Sequence, residues 1–129
     1  VMSPAEHDEL MRLSIGVPHI VGILLAKFLS RYDLSMFKVV RTPTFNFMLN
    51  YVSAILSGNL ELSVGIHRYL NTTDDLRKLI EIASDLPGEI SQRPNDLVKE
   101  LHKISIKFFK EGVITGNPYE VMYSLFNSL

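Results

Sequence analysis

Four lysines, Lys99, Lys103, Lys107 and Lys110, recur at spacings of four, four and three. On a helix with ~100° per residue they fall within an arc of about 80°. Between positions 91 and 110 they and Arg93 stand against Asp96 and Glu100, a local charge of +3. A row of this kind can dock phosphates, RNA or an acidic protein surface. It is also the ordinary solvated face of a surface helix, which is the preferred reading. No aromatic residue joins the row to stack bases. A second basic group, Lys27, Arg31, Lys38 and Arg41, stands against Asp33 alone, again +3. Whether the two groups adjoin is not encoded locally.

Other chemistry is sparse. Glu6–His7 and Glu100–His102 are the local acid–histidine pairs, but residues one or two apart on a helix do not face each other. No Gly-x-Ser-x-Gly, His-Glu-x-x-His or glycine-rich phosphate loop occurs. The four histidines are His7, His19, His67 and His102. His67, with Val64 and Leu70 nearby, could face a pocket, but a structural histidine is preferred to a haem ligand. With no cysteine in the chain, disulfides and thiolate metal sites are excluded. The expectation is therefore no catalytic residue, no metal and no cofactor.

The elements that carry these residues all read as helices. The most apolar run is VPHIVGILLAKFL, positions 17–29. Its apolar residues spread around most of the helical circle, which demands burial. Thirteen residues fall short of the ~20 that span a bilayer. The run is thus expected to be the buried central helix, over about 18–31, of a single compact all-α bundle of six or seven helices.

Ser3-Pro4-Ala5-Glu6 is a capping box opening the first helix. Gly16 and Pro18 are expected to end it near position 15. Residues 36–41 read as a helical turn. Thr42-Pro43-Thr44 opens a helix over 45–56, which lies in a stretch without charge from Arg41 to Glu61. Asn59 caps a helix over 60–70. Gly65 inside that helix costs ~1 kcal/mol and points to a close helix–helix approach. A helix with Leu76, Leu79, Ile80, Ala83 and Leu86 inward follows. Residues 86–94, bracketed by Pro87-Gly88 and Pro94, read as the longest loop. Asn95 is expected to cap an amphipathic helix over 96–111, Gly112 to end it, and Asn117-Pro118 to open a last helix over 119–126.

The 129 residues fit one domain, whole or part of a larger protein. The net charge of −1 disfavours a generic polyanion binder. Residues 1–12 are acidic and form no signal peptide, so cytoplasm or nucleus is expected. Two helices that both demand burial are a surplus for this length. The surplus points to an interaction face, with Phe45, Phe47, Met48 and Tyr51 as anchors, since aromatic and Met residues are enriched in interface cores. The preferred function is a non-enzymatic adaptor or self-association domain, binding a protein partner or a second copy. The alternative is nucleic-acid or nucleoprotein binding through the lysine row.

Overall fold

A computed structural model describes residues 1–39, 42–114 and 116–128, with side chains placed as far as Ser124. Arg41, expected in the second basic group, lies outside the described residues. The fold is all-helical, with no strand among the described residues. Seven α-helices are present among the described residues: α1 (Pro4–Met11), α2 (Val17–Leu29), α3 (Pro43–Leu56), α4 (Leu60–Leu70), α5 (Thr73–Gln92), α6 (Pro94–Lys110) and α7 (Pro118–Ser128). The chain divides into two units, Val1–Leu76 and Arg77–Leu129.

Most helix starts follow from their capping residues. In α1 the Glu6 amide donates to Ser3 Oγ at 3.2 Å, and the Ser3 amide donates to Glu6 Oε2 at 3.1 Å. This reciprocal box satisfies two of the amides that a helix start leaves free. Thr42 accepts from the Phe45 amide, with Pro43 in the first position of α3. Asn59 accepts from Leu62 and Asn117 from Tyr119. Asp33 accepts from Ser35 and opens a 3₁₀ turn, Ser35–Lys38, the helical turn expected there. Gly112, at φ +71°, follows α6 in the left-handed conformation that glycine adopts without steric cost.

Four local expectations are corrected. First, α1 does not end at Gly16. A π-helical turn, Arg12–Gly16, joins it to α2, and the Val17 amide donates to the Arg12 carbonyl five residues back. The wider turn inserts one residue just before Pro18, where the ring would otherwise crowd the preceding turn. Pro4–Leu29 is therefore one 26-residue helical run, long and apolar enough by length and composition to cross a membrane. Thirteen-residue length no longer counts against a span.

Second, α2 is covered on part of its surface rather than all round. Ile20, Gly22 and Leu29 are buried, whereas Leu24 and Phe28 are 46% and 51% exposed. The helix ends at Leu29, so Arg31 lies beyond it. Third, the close helix–helix approach is not at Gly65, around which a β-carbon would meet nothing within 4 Å. It is at Gly22, where α2 meets α3, and at Gly16, which lies against Thr72.

Fourth, the expected loop over 86–94 is largely helix. α5 continues through Pro87 to Gln92. Its apolar series carries on at helical spacing from Leu86 to Ile90, and the proline removes one hydrogen bond without resetting it. The chain breaks at Arg93, which has an extended φ of −137°, and Pro94 takes the first position of α6. Asn95 thus lies inside the first turn instead of capping it.

Among the described residues the buried apolar ones, Ile20, Leu29 and Val52, all lie in the first unit. In the second unit no described side chain is buried. Leu79, Leu97, Ile114 and Met122 are the apolar ones partly covered there.

Candidate functional site

Two constellations stand out, one polar and one apolar. The polar one is assembled in the first unit from the π turn, α2, α4 and the start of α5. Arg12 Nε meets Asp75 Oδ2 at 3.1 Å, and Asp75 is 8% exposed. About two turns further along, the rings of His19 and His67 lie 5.9 Å apart, tilted by 56°. His67 Nδ1 is 3.2 Å from Thr72 Oγ1, whose methyl group closes over Gly16. Burial, then the neighbouring His19, hold His67 below its ordinary value of 6.5. His19 Nδ1 and His67 Nε2 are buried and, among the described residues, without hydrogen-bond partners.

This cluster ties α4 and the start of α5, around Asp75, to the π turn. Its Arg12 and Asp75 charges are matched, burial favours the neutral form of His67, and no group of three metal-ligating residues occurs among the described residues. Beside it lies an open cleft of about 590 Å³, lined by Ala5, Asp8, Glu9, Arg12, Tyr69 and Leu70. Sequence reasoning missed the cluster because its members are up to 63 positions apart. The one local signal was Arg12 set directly before an apolar run.

The apolar constellation is α6. Leu97, Leu101, Ile104 and Phe108 follow each other at spacings of four, three and four, so they form one seam along the helix. Leu101 and Phe108 are 52% and 42% exposed, and Ile104 is also uncovered. Phe109 and Val98 widen the seam and are exposed too. Such a stripe is expected to face a packed neighbour. Lys99, Lys103 and Lys110 occupy the far side of the same helix, all exposed. Lys107 lies nearer the seam and meets Glu111 at 3.9 Å.

The expected anchors on α3 are divided between fold and surface. Phe45 stacks at 4.4 Å, tilted, on Phe37. Tyr51 donates its hydroxyl to the Pro18 carbonyl, and burial pushes its phenol above the ordinary range. Met48 is partly covered, while Phe47 faces outward. The four thus do not form one outward patch. Lys27, Arg31 and Lys38 are exposed in the first unit.

Comparison of the chain with protein-family models, with curated proteins and with solved structures returns no match.

Proposed function

We propose that this chain is a non-enzymatic helical interaction domain that associates through an uncovered apolar helix face. The observation that carries the reading is the seam Leu97–Leu101–Ile104–Phe108, open to solvent on a helix whose opposite side carries Lys99, Lys103 and Lys110 with Ile106 beside them. Contiguous apolar surface of this kind on a folded chain marks an interaction site. Apolar side chains at this helical spacing are the anchors of helix-in-groove and helix-on-helix recognition. Phe47 on α3 is a secondary anchor.

Pro4–Leu29 is read here as a packed helix. That reading is supported by the Arg12–Asp75 ion pair, the Gly22–Ile55 contact and the Tyr51–Pro18 hydrogen bond. Polyanion binding through Lys99, Lys103, Lys107 and Lys110 is the alternative, favoured by their common exposure.

The test is the solution mass of the wild type and of Leu101→Asp across a wide concentration range. Leu101 is half-exposed, so the variant should keep its helical circular dichroism. The reading expects wild-type mass to rise with concentration and the variant to stay monomeric. A wild type that stays monomeric throughout, with Leu101→Asp no more soluble, contradicts it.

A further inference from the structure

We infer that α6 pairs antiparallel with α6 of a second copy of this chain, an inference that rests on the interaction reading above and names its partner. Leu97, Leu101, Ile104 and Phe108 take the alternating core positions of a two-heptad helix seam. Glu100 and Lys107 are seven residues apart and occupy the same edge position beside that seam. A two-fold axis passing between positions 102 and 103 does three things at once. It sets Leu97 opposite Phe108 of the other copy and Leu101 opposite Ile104. It brings Glu100 of each copy against Lys107 of the other. It places Val98 opposite Ser105 on the other edge, where no like charges meet.

The edge is therefore self-complementary under the symmetry that most homodimers use. A parallel pairing has no such match, because Glu100 and Lys107 would then face the uncharged Ser105 and Gly112. The existing partner of Lys107 is Glu111, an exposed pair one turn along the same helix at 3.9 Å. Pairs of that type are weak enough to be exchanged. Lys99, Lys103 and Lys110 remain on the solvent side of the pair.

The test is sedimentation of the full chain at low salt as wild type, Glu100→Lys, Lys107→Glu and the double exchange. By symmetry each single reversal replaces two attractive edge contacts with two repulsive ones. Each should raise the dimer Kd by about tenfold. The double exchange restores opposite charges across the axis and should return the Kd to about the wild-type value. Added salt should weaken the wild-type dimer and strengthen the single variants. All four positions of charge are exposed, and circular dichroism checks that the helix is kept. Assembly that Leu101→Asp abolishes but the single reversals leave unchanged overturns this pairing while the interaction reading stands. A double exchange that fails to rescue also overturns it. A monomeric wild type overturns both.

Discussion

Gly22 lies so close to Ile55 that a β-carbon on it would stand 2.7 Å from Ile55 Cγ1. This contact sets the distance between α2 and α3, and Tyr51 closes the same interface by donating to Pro18. Gly22→Ala should destabilise the first unit by about 1–3 kcal/mol, the usual cost of overpacking. Adding Ile55→Ala should recover part of that loss, because the two side chains compete for one space. Chemical denaturation of the single and double variants measures the coupling.

Tyr51 and Phe47, four residues apart on α3, should respond differently to the same change. Tyr51→Asp removes a partly buried ring and its hydrogen bond, so it should destabilise the fold by about 3 kcal/mol or more. Phe47→Asp, at an outward position, should cost less than about 1 kcal/mol. Thermal melting of both variants checks the contrast.

His67 gives the first unit a pH dependence of definite sign. Burial and His19 place its folded-state value below the ordinary 6.5. Above pH 6.5 both folded and unfolded chains carry it neutral, and it adds no pH dependence. As the pH falls through 6.5 the unfolded chain binds the proton first, so stability drops until the folded protein also protonates. His67→Asn should flatten that slope in urea titrations at a series of pH values between 7 and 5.

Pro87 sits inside α5, where it removes a backbone hydrogen bond and crowds the preceding turn. Pro87→Ala should stabilise α5, by up to about 3 kcal/mol if the flanking helix is already formed. An increase in helical ellipticity with a higher melting temperature is the expected result. A destabilised variant would mean that the proline serves a turn after all.

The lysine row separates the two functional readings. Lys99 and Lys103 point away from the apolar seam. Reversing both to Glu should leave self-association unchanged, and fluorescence anisotropy with labelled single-stranded RNA should show no steeply salt-dependent binding to the wild type. Binding that falls steeply with salt, and is lost in the variant, would move the function to nucleic-acid recognition.

Much of the fold was legible because its signals are local. Ser3, Thr42, Asn59 and Asn117 each cap the helix that their position announces. The errors came where a local rule met a non-local condition. Gly16 and Pro18 are helix breakers in isolation, but a π turn absorbs the proline, and Thr72, far away in sequence, packs on the glycine. Pro87-Gly88 looked like a loop, yet the apolar series on both sides keeps helical phase. The close approach is at Gly22 and not at Gly65, because spacing shows where a small residue is and not what approaches it. At the α6 site the lysine arc is the most regular local pattern, and it lies on the polar side. The Glu100–Lys107 relation was equally present in the sequence, but becomes meaningful only when the opposite, apolar side is seen to lack a cover.

The most direct test of the interface on α6 is amide hydrogen exchange of positions 97–108 as a function of protein concentration. If this helix associates through its apolar face, protection there should grow with concentration, while protection around Ile20 and Val52 stays constant. Protection over 97–108 that is the same at every concentration would contradict the account.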